Sequence, residues 1–372
     1  MTPETPETPG TPETTAANAL TAAWARTVTA GTVLSGAGVH PLLHLLATAA
    51  SGPARDELLA VAPAPLALPS SAAVRTAIGL WPRADVPLTP SWRSLVAGVL
   101  TGDQAPLDAW AASRTGGLIP RLPAPVDDAT LLLLGSALAV TTTWDEPFDE
   151  GLLWPLEGPW RSRQLVGLTR FHAVPGPLKV VSPAGGRPLT TVTVRGSDDI
   201  DVVLLLGEPG VAPGDVLAAG IETPRTGPDR VDGPGVQVGR GWQPPGLYLT
   251  VPRFTVSADH DLLAHADLFG LRAATDHTRG HFPGLSPWPL AVSHGTQAAT
   301  ATFTARGFEA AAVSVLELLA GGAPTGDNEQ VHVTFDRPFG FLAEHRPTGL
   351  VLFAGWVDEP TPWEPEVLVV SY

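Results

Sequence analysis

Apolar residues recur at helical spacing near the start of the chain. Leu20 and Trp24 lie four residues apart, and this spacing predicts an amphipathic helix over residues 17–28. A second apolar segment occupies residues 39–50, after a glycine-rich stretch. Another helix is predicted to begin near residue 106 and to end at Gly116 and Gly117, because glycine favours the end of a helix.

Further along the chain, the apolar pattern becomes short and strand-like. Residues 129–134 form a continuous apolar run, as expected for a central strand that is buried on both faces. A helical signal returns only at residues 261–269. Shorter strands are predicted at residues 189–194, 200–206, 247–256 and 331–335. Helices gathered early and strands gathered late predict an α+β protein.

The composition bears on the domain organisation. The 372 residues are 44% hydrophobic and include 40 prolines and 39 glycines, which favours many short elements over a helical bundle. Residues 1–16 are rich in Thr, Pro and Glu and carry too little apolar surface to fold, so we expect a disordered tail there. No linker or internal repeat divides the rest. We expect a single domain over residues 17–360 and a C-terminal extension, residues 361–372, that packs on it.

The charge and the absent cysteines exclude several classes of partner and site. A formal net charge of -15 repels phosphate backbones and anionic lipids, so we expect neither nucleic acid nor a membrane as partner. The absence of cysteine excludes disulfides, thiolate nucleophiles and Cys-ligated zinc. No basic segment followed by an apolar run opens the chain, so we expect no classical signal peptide. The sequence as written is consistent with a cytoplasmic protein, but it does not determine the compartment.

Few side chains point to catalysis or metal binding. His40 and His44 lie at helical spacing, but no third ligand follows nearby and no glutamate lies between them, which favours packing or surface roles. The remaining histidines show no ligand spacing. The chain has neither a Gly-x-Ser-x-Gly turn nor a phosphate-binding glycine loop. We therefore expect no enzymatic activity, no metal and no cofactor.

The segment that begins at Gly307 combines small residues with the alternation of a strand. Period-two alternation puts Glu309 and Glu317 on one face. The opposite face is small or apolar and carries Phe308, Ala310, Ala312, Ser314, Leu316 and Leu318. A glycine-rich stretch follows. Taken alone, the segment is explained by an ordinary strand and a disordered connection.

Four stretches, in the same order along the chain, resemble the serpin family. The first is Leu107-Asp108-Ala109-Trp110 with Thr115, Gly117 and Ile119. The second is Thr143-Trp144-Asp145-Glu146-Pro147-Phe148, and the third is Val251-Pro252-Arg253-Phe254. The fourth joins residues 335–341 to Leu352-Phe353-Ala354-Gly355. The proline-rich composition is most similar to that of bacterial serpins such as thermopin.

The resemblance implies an α+β serpin fold with N-terminal helices, a large central mixed sheet, smaller antiparallel sheets and an exposed reactive loop at about residues 307–330. In this family the loop is bait for a serine protease, and after cleavage it inserts into the central sheet and carries the acylated protease away. The implied function is a monomeric serine protease inhibitor that acts as a suicide substrate, and an extracellular location is also open. The implied hinge of the loop is Gly307, Phe308, Glu309, Ala310, Ala311 and Ala312.

The customary length of the family's loop, counted from Gly307, places the scissile bond near Gly321 and Gly322. Counting back from Phe335 instead places it near Asp327, and we prefer the first count because insertion constrains that side of the loop. The specificity residues are then Leu318, Leu319 and Ala320. These side chains suit a chymotrypsin-, elastase- or subtilisin-like protease.

The resemblance also assigns structural residues around the place where the loop meets the sheet. Trp144 lies at that place and is a structural residue. Ser35, Ser136 and Gln297 stand where the family has a serine, an asparagine and a histidine that form hydrogen bonds beneath the opening. Ala305 replaces the glutamate of a familiar ion pair, and Arg253 stands at the position of its lysine, so that this pair is missing. We expect the C-terminal extension to replace it.

Phe308 is the least typical residue of the hinge. Inhibitory serpins prefer a small or β-branched side chain at this position, and overpacking of such a site costs roughly 1 to 3 kcal/mol. Slower insertion is then expected. The alternative function is a non-inhibitory serpin that acts as a binding or structural protein because Phe308 impairs insertion.

Overall fold

The computed structural model describes residues 11–122, 130–183, 186–225, 231–308 and 327–364. Its first helix, α1 (Pro12–Ala25), begins inside the segment predicted to be a disordered tail. Thr11 caps this helix, since its hydroxyl accepts a hydrogen bond from the Thr14 amide at 3.3 Å, and proline suits the first turn. Thr14 and Ala17 are both buried. The packed helix therefore begins at Pro12 and not at residue 17.

The described residues form five further α-helices. One of them confirms the helix predicted to begin near residue 106, and another contains most of the apolar segment at residues 39–50. These helices are α2 (Gly36–Ala49), α3 (Gly52–Val61), α4 (Pro90–Arg93), α5 (Ala105–Thr115) and α6 (Pro213–Glu222). Helix α5 ends as predicted, because Gly116 adopts the left-handed φ of 68°.

The helix predicted at residues 261–269 is wrong. The chain forms a short 3-10 helix, Leu262–His265, followed by turns, and a second short 3-10 helix at Ala273–Thr275. The Asp261 carboxylate accepts a hydrogen bond from the Leu263 amide at 2.8 Å, which caps the first turn. Gly270, with a φ of 65°, then redirects the chain before an α-helix can form.

The early strands are β1 (Thr32–Leu34), β2 (Val74–Pro82), β3 (Leu132–Val140), β4 (Thr142–Thr143), β5 (Asp149–Leu153), β6 (Leu165–His172), β7 (Leu178–Val181), β8 (Leu189–Arg195) and β9 (Ile200–Leu206). The later strands are β10 (Val236–Gly241), β11 (Gly246–Pro252), β12 (Phe254–Asp261), β13 (Thr296–Phe303), β14 (Gly307–Phe308), β15 (Asn328–Thr334), β16 (Phe339–His345) and β17 (Leu350–Val357).

Four sheets are built from these strands. The largest has six strands in the order β1-β17-β16-β9-β8-β7, and a second has five in the order β10-β15-β11-β6-β5. The other two are β12-β13-β14-β4 and the pair β2-β3. Neighbouring strands run antiparallel except for β11 and β15, which run parallel. The predicted α+β class, with N-terminal helices and several antiparallel sheets, is confirmed.

Helices α1, α2 and α6 cover one face of the six-stranded sheet. Strand β17, on which α1 and α2 pack, is buried along its whole length. Helix α6 lies against β16, where a Cβ atom on Gly340 would come within 2.8 Å of the Leu217 side chain. The absence of a side chain at Gly340 therefore allows this helix to pack closely.

Two strand predictions differ from the structure in their bounds. The run at residues 129–134 becomes β3, which begins at Leu132 and continues to Val140. The predicted strand at 247–256 is two strands in different sheets, because the chain leaves the five-stranded sheet at Pro252 and enters another at Phe254. Proline lacks the N–H that a ladder needs, which is consistent with a strand ending there. The strands predicted at 189–194, 200–206 and 331–335 are confirmed as β8, β9 and β15.

A gap separates the two smaller sheets. Strand β4 directly follows β3, but in the described part of the chain no pairing joins β3 to β13. A cavity lies between the two strands and is lined by Leu138–Val140 of β3 and Thr300–Thr302 of β13, with Phe308 at one end. A wider groove of about 540 Å³ continues between β12, β13 and the segment at residues 118–122.

Candidate functional site

The residues around β14, where β13 turns back into the sheet, form the candidate site. We call this region the hinge site: Thr142, Trp144, Phe303, Thr304 and Gly307–Phe308. The Thr304 amide donates to the Gly307 carbonyl at 2.9 Å, and the Gly307 amide donates to the Thr304 hydroxyl at 3.2 Å, which closes a tight turn. After this turn Phe308 pairs with Phe303 on one side and with Thr142 on the other. The chain thus enters the sheet between β13 and β4.

Only part of the predicted loop can be located. Gly307 and Phe308 belong to the hinge site, whereas Glu309, Ala310, Ala311 and Ala312 lie outside the described residues. The predicted specificity residues Leu318, Leu319 and Ala320 and the scissile pair Gly321 and Gly322 also lie outside them. Gly307 itself is required by close packing, since a Cβ atom there would lie 2.3 Å from the Thr142 carbonyl oxygen.

Phe308 is accommodated in the core, contrary to the expected overpacking. Its side chain is only 2% exposed, and its ring meets that of Phe341 at a centroid distance of 5.9 Å in an edge arrangement. Gly355 provides the space, because a Cβ atom there would lie 2.4 Å from the Phe341 ring. The absence of a side chain at Gly355 therefore makes room for Phe341, which packs against Phe308. No single motif in the sequence indicated this dependence among three residues.

Trp144 and the residues after it hold the turn of the hinge site. The Trp144 amide donates to the Arg306 carbonyl and its indole Nε1 donates to the Thr304 carbonyl, both at 2.9 Å. The Phe148 amide donates to the Ala305 carbonyl at 2.8 Å. The Trp144 ring also packs against Phe303 at 4.7 Å. These contacts fit the structural role predicted for Trp144 and fix three successive carbonyl groups of the turn.

Arg253 has a partner that the sequence did not reveal. Its Nη1 lies 3.2 Å from a carboxylate oxygen of Glu150, and both side chains are largely buried. The ion pair expected to be missing is thus replaced by a different one, between Arg253 and Glu150 of the five-stranded sheet. Glu150 stands on β5, next to β6 and one strand away from the end of β11. Only the strand order brings it to Arg253, so no local sequence signal could have identified it.

The start of the C-terminal extension lies close to the same arginine. The Thr361 amide donates to the Arg253 carbonyl at 2.8 Å, and the Val166 amide donates to the Thr361 carbonyl at 3.0 Å. The Trp363 amide donates to Gln164 at 2.9 Å. These bonds extend the pairing of β6, so the first residues of the extension pack on the domain. Residues 365–372 lie outside the described part of the chain.

Ser35, Ser136 and Gln297 belong to one network beneath the gap. The Gln297 side chain makes two hydrogen bonds of 2.9 Å with the Ser35 backbone, one to its amide and one to its carbonyl. The Ser35 hydroxyl accepts from the Gly38 amide at 2.9 Å, which caps α2, and donates to the Leu352 carbonyl at 2.5 Å. The Ser136 hydroxyl donates to the Gly38 carbonyl at 3.0 Å. Hydrogen bonds thus connect the three residues, with Gln297 at the position where the resemblance places a histidine.

Arg170 and His172, both on β6, form a pair of ionisable side chains next to the hinge site. The Arg170 guanidinium lies 4.4 Å from the centre of the Phe148 ring and donates to the Glu146 carbonyl at 2.6 Å. Its Nε donates to His172 Nε2 at 3.0 Å. Burial, together with this neighbouring cation, lowers the pKa of His172. The imidazole therefore remains a neutral acceptor that orients Arg170 beneath Phe148.

The histidines singled out in the sequence do not form a metal site. His40 is fully buried, and burial lowers its pKa to about 4. His44 instead contacts the Ala62 carbonyl at 2.9 Å through Nδ1. Across the described ranges, no group of three or more His, Asp or Glu side chains is placed to hold a metal ion. Nor does any helix in that part of the chain have the length and apolar character needed to cross a membrane.

Comparisons with known proteins agree on one family. A family profile described as Serpin (serine protease inhibitor) matches residues 241–360. Glia-derived nexin of Rattus norvegicus is 31% identical over 118 residues, which cover 32% of this chain but only 28% of the nexin. A serpin-Z8 of Oryza sativa subsp. japonica is 24% identical over 383 residues and covers 87% of this chain and 89% of its own length.

Solved structures extend the likeness to nearly the whole chain. Native protease nexin-1 with heparin has a TM-score of 0.69 at 18% identity, covering 94% of this chain and 98% of that one. Serpin48 of the insect Tenebrio molitor has a TM-score of 0.68 at 14% identity, with 92% and 97% coverage. At these identities the likeness concerns the fold, and it confirms the α+β architecture that the sequence predicted.

Proposed function

Because the chain belongs to the serpin family, we propose that it is a serine protease inhibitor that acts as a suicide substrate and not as an enzyme. Residues 307–330 form the loop offered to the protease. After cleavage and acylation, the part of the loop that follows Phe308 inserts between β3 and β13 and carries the protease with it. The chain acts as a monomer in this scheme, with residues 12–360 as one domain.

The observation that carries this proposal is the position of Phe308 at one end of the gap. Phe308 already pairs with strands on both sides, and Gly307 pairs with β4, as the first residues of an inserted strand would. Beyond them lies the cavity between residues 138–140 and 300–302. A strand continued past Phe308 would run along this cavity, which supports insertion at this place and in the register that Phe308 sets.

Rough magnitudes support insertion as a driving force. Burial of Leu316 and Leu318 contributes about 1.5 to 3 kcal/mol each. Each new ladder hydrogen bond contributes a net of about 0.5 to 1.5 kcal/mol. Over a strand that gains ladders on both edges, the sum is on the order of ten kcal/mol, comparable with the whole stability of many domains. The uncleaved form is metastable in this account, and cleavage releases it.

The partner we propose is a serine protease that accepts apolar residues before the scissile bond. With the bond between Gly321 and Gly322, the preceding residues are Leu318, Leu319 and Ala320. This segment suits chymotrypsin-, elastase- or subtilisin-like enzymes. Heparin is bound in the nexin-1 structure, but we do not propose it as a partner of this chain. The chain has a net charge of -15 and Lys179 as its single lysine, so it would repel a polyanion.

The packing of Phe308 favours the inhibitor over the non-inhibitory alternative. That alternative rested on a steric obstacle at the hinge, but the Phe308 ring is buried and in contact with Phe341. Insertion would begin at Phe308, and the Phe308 ring is already packed in the sheet before cleavage. The ring is therefore no steric obstacle to insertion.

The proposal is tested by mixing the full chain with chymotrypsin, elastase and subtilisin and looking for an SDS-resistant complex. Two matched variants sharpen the test. Ala312→Arg places a charge on the face predicted to enter the sheet, and Ala311→Arg places the same charge on the opposite face. We expect a covalent complex with the unmodified chain and with Ala311→Arg, and plain cleavage with Ala312→Arg, because burial of an unpaired charge is costly. Clean cleavage of all three chains would contradict the proposal.

A further inference from the structure

A hydrogen bond between two side chains of β6 depends on the protonation state of a histidine. The Arg170 Nε donates to His172 Nε2 at 3.0 Å. Because a guanidinium can only donate, His172 Nε2 must carry no proton while this bond exists. The proton of the neutral ring then lies on Nδ1, which is 3.7 Å from a carboxylate oxygen of Glu146. The two ring nitrogens therefore face groups of opposite charge.

Both members of this pair are largely enclosed. Arg170 is 8% exposed, and its guanidinium lies 4.4 Å from the centre of the Phe148 ring and donates to the Glu146 carbonyl at 2.6 Å. The His172 side chain is 14% exposed. A proton added at Nε2 would face the N–H of Arg170 at the same distance, with little water to screen the two charges. Protonation thus replaces a hydrogen bond by repulsion between two cations.

The charges around His172 give its ring two alternative partners. Burial and the Arg170 guanidinium lower the pKa of His172, whereas the Glu146 carboxylate raises it. Leu247, opposite His172 on β11, carries no charge, and Asp145 acts on Arg170. The neutral ring holds Arg170, and a protonated ring is attracted to Glu146 instead. Since the pKa is lowered, the bond to Arg170 is complete above the ordinary histidine pKa and is lost as the pH falls through the folded value.

Arg170 connects this pair to the turn of the hinge site through Phe148. The Phe148 ring lies under the guanidinium and 5.6 Å from the Phe303 ring of β13. The Phe148 amide donates to the Ala305 carbonyl, in the turn between β13 and β14, at 2.8 Å. A continuous set of contacts therefore runs from His172 to the point where the loop enters the sheet.

We propose that His172 is a positioning residue for loop insertion: in its neutral form it holds Arg170 beneath Phe148 and so fixes the hinge turn, and in its protonated form it releases that turn. Insertion must begin before the protease hydrolyses the acyl bond, so a released turn favours plain cleavage over a trapped complex. This consequence rests on the proposed function, whereas the hold on the turn is a property of the uncleaved chain.

The test measures hydrogen exchange at the Phe148 amide in the full, uncleaved chain, because this amide bonds the turn directly. His172→Lys replaces the acceptor by a permanent cation, and His172→Gln keeps an uncharged acceptor at every pH. The control is Thr169→Lys, which puts the same charge on the exposed face of β6. At about pH 8 we expect about tenfold faster exchange in His172→Lys, and rates within about twofold of the unmodified chain in the other two variants.

A pH series gives a second measurement that does not depend on the lysine variant. After correction for intrinsic exchange rates, lowering the pH from about 8 to about 5 should speed exchange about threefold more in the unmodified chain than in His172→Gln. His40 is present in both chains, so its own protonation cancels in this comparison. Equal pH responses would overturn the inference. So would equal exchange rates of His172→Lys and either the unmodified chain or Thr169→Lys.

Mixing the same chains with chymotrypsin, elastase and subtilisin separates this inference from the proposed function. We expect His172→Lys to form a smaller share of SDS-resistant complex than the unmodified chain and Thr169→Lys. If no chain forms a complex, the proposed function is refuted, and the exchange rates alone decide whether His172 holds the turn. An undiminished share of complex in a His172→Lys chain that exchanges faster would overturn the role in insertion.

Discussion

Replacement of Phe308 by alanine tests whether the hinge belongs to the sheet before any cleavage. The Phe308 ring is 2% exposed and contacts Phe341. Truncation of a buried phenylalanine costs about 3 to 5 kcal/mol, because apolar burial is lost and a cavity remains. The Gly307 and Phe308 backbone would keep its pairing with β4 and β13, so the loss should come from the side chain alone. We expect Phe308→Ala to lower the free energy of unfolding of the uncleaved chain by this amount.

The measurement is urea unfolding of the uncleaved chain, followed by tryptophan fluorescence. The matched control is Phe171→Ala, the same substitution at a side chain that is 40% exposed, for which we expect a loss of about 1 to 2 kcal/mol. A loss below 1 kcal/mol for Phe308→Ala, or equal losses for the two variants, would mean that the hinge is not packed in the sheet. The register proposed for insertion would then have no basis.

Three further predictions concern the supports of the hinge and the acid response of the fold. Arg253→Leu should lower the free energy of unfolding in urea by about 3 kcal/mol, because it leaves the Glu150 carboxylate buried without its partner. Adding Glu150→Leu should recover part of this loss. If the losses of the two single variants simply add in the double variant, the pair is not coupled. Ser35→Ala should cost about 1 to 2 kcal/mol through the lost α2 cap and the bond to Leu352, and an unchanged unfolding midpoint would contradict both contacts. Burial holds the pKa of His40 at about 4, so the folded state keeps it neutral while the unfolded state takes up a proton near pH 6.5. This contribution is complete above about pH 7 and is lost as pH falls towards 4, costing at most about 3 kcal/mol; His40→Leu should flatten the pH dependence of unfolding, and an unaltered slope would refute the assignment.

Elements whose signal is local were predicted well from the sequence. Strand β9 (Ile200–Leu206) has the predicted bounds because a short run of branched apolar residues leaves few alternatives to a buried strand. Helix α5 ends at Gly116 as predicted, since a left-handed residue there favours glycine. The cap formed by Thr11 is also a local signal, but the repeated Thr-Pro-Glu composition obscured it.

Features that depend on distant contacts could not be predicted. The strand expected at residues 247–256 is split because Pro252 and Phe254 serve different sheets, a choice made by tertiary packing. Glu150 reaches Arg253 only through the order of strands in the five-stranded sheet. The unusual Phe308 was noticed, but its accommodation depends on Gly355, which lies far along the chain and acts through Phe341. Size compensation of this kind requires knowledge of three positions at once.

The central claim is that the cleaved loop fills the gap between β3 and β13. Its most direct test is amide hydrogen exchange of the full chain before and after a single cut in residues 309–326. The amides of residues 138–140 and 300–302 that do not pair with β2 or β12 should exchange at least 100-fold more slowly in the cut protein, because a new strand then accepts their hydrogen bonds. Unchanged exchange at these amides after complete cleavage would contradict the claim.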